Sequence, residues 1–480
     1  MQTQHEVTAV SAADANSRVT GLPGVAVVSC APGLNNTLAA VKAAMESESA
    51  VVLIGTASST ILKSSSIEVT DAIKTLKPLV KWTGKVDRVR DIAYELREGL
   101  RQALHGTPGP VYIEFTLDCL HAFPVVKKEF DKITTKTRYT EYYMKNLFAA
   151  GFDVGREIRP WPIEIPFPKK EMVSKTVKDL TKAERPLIVF GSQATLPPIE
   201  ETKVATILTD MGIPCFFTGL SRGILPSTHV LYMKHGLKEA LRGSDCILLL
   251  GLNESFKTES TVKSIVSVHV VNRNKATLKA NAKQLGSHAT QIHSDVGQFL
   301  VEVSEKLGRF AISEQWLRTL KEMSHESEKQ LKEASSSWET VIADLVGDKK
   351  TIVVTRQEDK TSLLQSKGPW LESSSCNTSL LAGYALGAKL ARRDHLTLSL
   401  LSPQDLNVSE VATYCEAGAA NLVVVSGSGV KTEDLKDFAQ KGGQTVSVKS
   451  SDSLCNLKPN ISKAFNSLSE GYPVLLNVQS

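Results

Sequence analysis

A parallel α/β fold, built as three Rossmann-like domains with helices covering the sheets, is what this sequence predicts. Three observations lead there. Short, almost wholly apolar runs such as GVAVVSC (24–30), PLIVFG (186–191) and NLVVVSG (421–427) read as strands buried on both faces. They alternate with stretches whose apolar residues recur at helical spacing, which places helices over a parallel sheet. At 480 residues the chain exceeds what one hydrophobic core serves, so two or three domains are expected.

The elements follow in order. VTAVSAADANSRV is the first helix, and GVAVVSC the first strand. Pro32-Gly33 turns the chain into a helix from Asn35 to about Met45, and AVVLIGT (50–56) is the next strand. A helix is expected over Val86–His105, and GTPGP then feeds the strand VYIEFTL (111–117). Chain rich in Pro and charge, HAFPVVKKEF and later RPWPIEIPFPKK, ends a first domain of 1–125 and makes a connector of 126–170. A central domain of 171–310 holds PLIVFG, PCFF (214–217), CILLLG (246–251) and VSVHVVN (266–272), flanked by the helices KEMVSKTVKDL and DVGQFLVEVSEKL. Residues 311–348 read as a charged helical linker with little core character. The third domain, 349–480, holds TIVVT, the helix SLLAGYALGAKLARR, LTLSLL, the helix NVSEVATYCEAG, NLVVVSG, QTVSV and YPVLLNV. The first and third blocks share a strand–loop–helix–strand–Gly order, which is either an internal duplication or the likeness of any two Rossmann-like pieces.

Composition narrows the function. Hydrophobic content of 42% and charged content of 22% are ordinary for a globular chain. A net charge of +5 without any basic block argues against nucleic acid. The seven cysteines are scattered and never in C-x-x-C spacing, so reduced, buried thiols are expected rather than a zinc site or disulfide frame. No apolar run approaches the ~20 residues that cross a bilayer. MQTQHEVTAV has neither a basic n-region nor an apolar h-region, and NVQS is no retention address, so a cytoplasmic protein without a membrane span is expected.

Taken singly, the candidate site residues are ordinary. Glu6 is a carboxylate on a first helical turn, where it suits the helix dipole. Pro32-Gly33 is a strand-to-helix turn with Asn35 or Asn36 near the N-cap. In order and spacing they are more specific. The stretch from HEVTAVSAADANSRVTG through PGLNNTLAAVKAAMESESAVVLIG resembles the pyrimidine-binding domain of thiamine diphosphate enzymes of the acetolactate synthase superfamily. RPLIVFGSQA, MGIPCFFTGLSRGILP and VHVVNRN resemble the family's central domain, and GPWLESSSCNTSLLAGYALGAKLARRD is similar to the start of its diphosphate-binding domain. RYTEYYMKNLFAAGFDV points to the 2-hydroxyacyl-CoA lyase branch.

The resemblance implies pyrimidine-type, central and diphosphate-type domains, thiamine diphosphate as cofactor, and Mg²⁺ as the bridge from its diphosphate to the protein. It implies that Glu6 is catalytic, bonding the cofactor's pyrimidine nitrogen, and that Pro32, Gly33, Asn36, Glu68, Ser374 and Ser375 line the cofactor. It also implies dimers with active sites between subunits, one chain giving the glutamate and the other the diphosphate site. Departures from the family pattern are equally plain. Ser402-Pro403-Gln404 stands where the family has Gly-Asp-Gly, and Gly427-Ser428 where it has the metal-binding Asn, so Mg²⁺ is expected to be lost; Asp405 is the one displaced carboxylate nearby. Proline also removes a backbone donor and restricts φ. Glu68 replaces a Gln of the family, and its charge beside Glu6 would disturb a proton relay. The chain begins five residues before Glu6, where the family has a further βα unit, and the third block lacks the family's C-terminal segment.

The function expected is that of a homologue with weak or lost cofactor binding, catalytically impaired and acting by subunit association, as a homodimer or as a heterodimer with a related enzyme. The alternatives are an active thiamine diphosphate-dependent lyase on 2-hydroxyacyl-CoA or an acetolactate synthase-like carboligase, and a CoA- or ADP-binding sensor through Gly191-Ser192-Gln193, which otherwise is a plain turn. By resemblance alone, association with the endoplasmic reticulum is the alternative location.

Overall fold

The computed structural model describes residues 1–29, 33–57, 71–133, 137–148, 159–253, 266–285, 289–310, 313–347, 349–356, 364, 368–373 and 379–479. They fall into two compact units. One is Met1–Glu164 with Ser373–Ala391 and Asp405–Ala417; the other is Ile165–Glu372 with Arg392–Gln404 and Gly418–Ser480.

The first unit opens with helix α1 (Glu6–Thr20), stopped by Gly21 in the left-handed region, where glycine carries no Cβ penalty. Strand β1 (Gly24–Val28), the short helix α2 (Gly33–Asn36), α3 (Leu38–Glu46), β2 (Val51–Ala57) and α4 (Ala72–Leu76) follow. Next come β3 (Trp82–Val86), α5 (Ile92–Leu104) and β4 (Val111–Thr116). The sheet runs β1-β2-β4-β3, all parallel, with β4 buried along its whole length. The helix expected over Val86–His105 therefore starts too early: WTGKV pairs with β4 as an edge strand, and α5 begins only after a 3-10 turn at Val89–Asp91. Lys81 closes the far end of α5, its Nζ donating to the carbonyls of Gln102, His105 and Thr107 at 2.8, 2.7 and 2.6 Å. The expected connector is helical in its first half. α6 (Leu117–Leu120), α7 (Phe123–Ile133) and α8 (Arg138–Phe148) pack Val126, Met144 and Leu147 into the core of this sheet.

In the second unit α9 (Lys170–Lys182), β5 (Pro186–Phe190), α10 (Glu201–Met211), β6 (Cys215–Phe217) and β7 (Tyr232–Met233) come first. α11 (Leu237–Gly243), β8 (Cys246–Leu250), β9 (Ser267–Asn272), α12 (Lys275–Leu285), β10 (Ala289–His293) and α13 (Val296–Leu307) complete a six-stranded sheet of order β10-β9-β8-β5-β6-β7. The predicted linker forms α14 (Glu314–Ala334) and α15 (Ser337–Val346), but its lack of core character is wrong. Trp316 and Leu320 fill the core of the second sheet, and Trp338, Ile342 and Val346 that of the third. β11 (Thr351–Arg356) and β12 (Trp370–Ser373) lead into the third sheet. Beyond α16 (Ser379–Ala391), β13 (Leu396–Leu401) and α17 (Val408–Glu416) come β14 (Asn421–Ser426), α18 (Thr432–Gln440), β15 (Gln444–Lys449), α19 (Leu454–Ser469) and β16 (Val474–Gln479). The order is β12-β11-β13-β14-β16-β15, parallel from β11 through β15. Helices α16 and α17 belong to the first unit, where α16 packs on α1 and α17 packs on α16.

The cysteines divide. Cys119, Cys215 and Cys246 are buried as expected; Cys415 is half-buried and Cys455 exposed. Cys30 and Cys376 lie outside the described residues.

Candidate functional site

Glu6 is the first residue of α1, and its surroundings are built from the turn that enters the helix. His5 is the N-cap, extended at φ −139° and ψ 147°; its Nδ1 accepts from the Val7 N–H at 3.2 Å. That bond leaves Nδ1 unprotonated and satisfies one of the orphan donors of the first turn. Asn36, at the end of α2, donates from Nδ2 to Glu6 Oε2 at 3.3 Å. Gly33, which opens α2, comes so near that a Cβ there would stand 2.7 Å from Glu6 Oε1. A side chain there would press on the Glu6 carboxylate and the Ser29 hydroxyl, so glycine lets the main chain come close on one side while the Asn36 amide donates on the other. Three sequence-predicted residues, Glu6, Gly33 and Asn36, are thus brought together. Pro32, Glu68, Ser374 and Ser375 lie outside the described residues.

Sequence reading missed what holds α1 in place. From α17, Glu410 reaches Thr8, two residues beyond Glu6, and accepts from its Oγ1. Glu410 is only 1% exposed. Burial raises its carboxyl above the usual range; His5 pulls it down and Glu6 pushes it further up. Farther along α17, Glu416 accepts from Gln4 Nε2 at 3.1 Å. From α16, Gly383 and Gly387 meet α1 so closely that a Cβ on either would collide, with Ser11 and with the Ala12 carbonyl respectively. Buried Asp14 pairs with Arg18 at 2.9 Å, and the Arg18 guanidinium stacks 4.4 Å from the Tyr384 ring centroid. Two glycines four apart in SLLAGYALGAKLA were the available signal for the close crossing; a Glu within VSEVATY gave none.

The turn at the end of β13 has a different character. Pro403–Asp405 forms a 3-10 turn in which Asp405 is buried. After β14, Gly427 has φ +128° and Gly429 φ +126°, and the Gly427 N–H donates to the Val478 carbonyl at 3.0 Å. The Pro403 ring lies against Gly427, its Cδ 3.2 Å from where a Cβ would be. An asparagine at 427 would therefore meet both the ring and a backbone conformation that L residues rarely adopt. Ser428, between the two glycines, offers a hydroxyl rather than an amide or carboxylate. Among the described residues no three His, Cys, Asp or Glu side chains gather in a way that could hold a metal ion. Pro403, Gly427 and Ser428 bring no carboxylate or side-chain amide to this turn, the kind of oxygen donor that Mg²⁺ takes, and Asp405 is the carboxylate beside them.

At the end of β5, Gln193 is buried and its amide is engaged on both sides. Nε2 donates to Asn272 Oδ1 at 2.8 Å, and Oε1 accepts from the Arg273 N–H at 3.0 Å. Arg273 in turn pairs with buried Asp295 at 2.6 Å. Gly191-Ser192-Gln193 thus serves as a packed turn that ties three strand ends together.

Comparison with known proteins bears on both halves. Residues 1–76 match the family model "Thiamine pyrophosphate enzyme, N-terminal TPP binding domain", and residues 173–303 match "Thiamine pyrophosphate enzyme, central domain". The chain is 34% identical over 420 residues to "2-hydroxyacyl-CoA lyase 2" of Danio rerio, covering 82% of this chain and 67% of that protein. To the Homo sapiens protein of the same name it is 33% identical over 421 residues, covering 82% and 66%. "Oxalyl-CoA decarboxylase" of Escherichia coli K12 is 27% identical over 251 residues, covering 52% and 40%. The chain spans about two thirds of the length of the lyase relatives. An X-ray structure described as a thiamin diphosphate-dependent enzyme from Mycobacterium smegmatis superposes with a TM-score of 0.70 over 99% of this chain and 91% of that one; at 15% identity this likeness concerns the fold alone.

Proposed function

The chain belongs to the thiamine pyrophosphate enzyme family, and from that premise we propose that it is a member with a weakened, metal-independent hold on the cofactor, acting through association with another subunit. The observation that carries this reading is the Pro403 ring packed on Gly427, at the positions where the family's metal ligands would stand. A diphosphate brought there has no bridging ion, and burying its charge without compensation costs several kcal/mol. The other half supports retention of a partial site. Glu6, flanked by Gly33 and Asn36, keeps the carboxylate placement that would hold the pyrimidine ring. Thiamine diphosphate, when bound in this family, supplies carbanion chemistry, and the protein's part is orientation and electrostatics. The metal end lacks the donors for that part, so no catalytic step is assigned to this chain alone.

Titration calorimetry of the full chain with thiamine diphosphate tests the reading. Weak binding that is the same with Mg²⁺ and with a chelator is expected. Micromolar binding that disappears on chelation would overturn it. The second reading, an active thiamine diphosphate-dependent lyase like the relatives named 2-hydroxyacyl-CoA lyase 2, would then stand.

A further inference from the structure

Helices α7 and α8 carry side chains that the fold does not use. Their inner side is spent on the first sheet's core through Val126, Met144 and Leu147. Their outer side exposes Phe123 (41%) and Val125 (53%), with Leu120 (51%) just before, and Tyr139 (78%) and Tyr142 (69%) on α8. The Phe123 ring meets Phe148 edge-on at 5.1 Å, which brings the start of α7 to the end of α8. Basic residues are exposed on the same two helices, Lys127, Lys128, Arg138 and Lys145, with the acidic Asp131 and Glu141 exposed among them. Lys127 Nζ stands 5.7 Å from the Phe123 ring, beside the apolar cluster rather than away from it. Over 120–148 the sequence holds six Lys and Arg against three Asp and Glu.

We propose that the outer face of α7–α8 docks on the surface of an anionic lipid bilayer. Phe, Val and Leu would enter the boundary between headgroups and acyl chains. Tyrosine, with an apolar ring and a polar tip, suits headgroup level. The flanking ammonium and guanidinium groups complement the negative lipid surface, each adding attraction within a Debye length. Protein interfaces of comparable apolarity are depleted in lysine, so this mixture favours lipid over a protein partner. The mode is interfacial: each of these helices has eleven residues, too few to span a bilayer.

The full chain is mixed with vesicles of phosphatidylcholine alone or doped with phosphatidylserine, and separated by flotation. The chain is expected to float with the anionic vesicles, much less with the neutral ones, and to be released by salt. Lys127→Glu with Lys128→Glu is expected to lower partitioning by roughly tenfold or more. Tyr139→Ser with Tyr142→Ser is expected to lower it on its own while leaving far-UV circular dichroism and the melting temperature unchanged. Equal affinity for neutral vesicles, no flotation at all, or variants that bind like the parent would overturn the proposal. So would a lipid-free oligomer that the tyrosine variant disperses, which would make the face a protein interface.

Discussion

At residue 410 a carboxyl group is buried beside a hydroxyl and close to two other titratable groups, and the pH consequence has a definite sign. Burial raises the folded-state pKa of Glu410 above its ordinary value of 4.5. The folded protein therefore holds that proton more tightly than the unfolded chain. The stabilisation is fully present below about pH 4.5 and is lost as pH rises through the raised pKa. Glu410→Gln keeps the contact with Thr8 and cannot ionise. Urea unfolding is expected to find the variant equal to the parent near pH 4.5 and more stable than it at about pH 8. A parent that matches the variant at both pH values would show that Glu410 is comfortably ionised in the fold. This residue also marks a limit of sequence reading. Glu6, Gly33 and Asn36 were legible through the resemblance to a known family, since each taken singly is ordinary. Glu410 was not, because a single Glu in a helix looks solvated until the packing of α17 buries it.

At the scale of elements, the strands that went unread share a position, although β1 and β15 were read at sheet edges as well. GVAVV, PLIVF, CILLL and NLVVVS are apolar runs, most of them inside sheets. The strands that went unread, β3, β7, β10 and β12, all lie at sheet edges. An edge strand is covered less and paired on one side, so WTGKV and ATQIH need little apolar content and leave little periodicity. Helix α7 was obscured differently, since Pro124 falls in its first turn, where proline is tolerated; α14 was expected as a helix, but its charged sequence hides two core residues, Trp316 and Leu320. The crossing of α1 and α16 makes the sharpest prediction here. Because main chain faces main chain at Gly387, Gly387→Val must push the helices apart, and overpacking of this kind costs about 1–3 kcal/mol. Chemical denaturation should show that loss. A second readout, the nuclear magnetic resonance shifts of the Asn36 side-chain amide, should move as well, since α1 carries Glu6 and Glu6 accepts from Asn36. A variant that is destabilised with the Asn36 amide unmoved would mean that α16 supports the fold without setting Glu6.

For the whole molecule, the proposed function gives the two ends of the family's site an unequal meaning. The family likeness implies active sites built between subunits, with the glutamate from one chain and the metal-bearing turn from the other. This chain keeps the carboxylate arrangement at Glu6 and has Pro403 against Gly427 at the turn. Paired with itself, it would present the same incomplete turn to both glutamates. Paired with a relative that has an intact turn, it could complete one site of two, built from its own Glu6 and the relative's metal. Catalytic groups that act as a unit are strongly non-additive, so the loss of one carboxylate from such a site should remove most of its turnover. Co-expression with a metal-competent 2-hydroxyacyl-CoA lyase relative, followed by purification of the mixed complex, makes this measurable. The relative is made inactive at its own glutamate, so that any turnover must use Glu6 of this chain. Such a complex is expected to turn over, and Glu6→Gln is expected to reduce its kcat by about a hundredfold or more, the range of a lost acid–base group. The Gln side chain keeps a partner for Asn36, so assembly and melting temperature should hold. A complex that forms but is equally active with Glu6→Gln would make Glu6 a surface carboxylate, and a chain that stays monomeric beside every relative would remove the association reading.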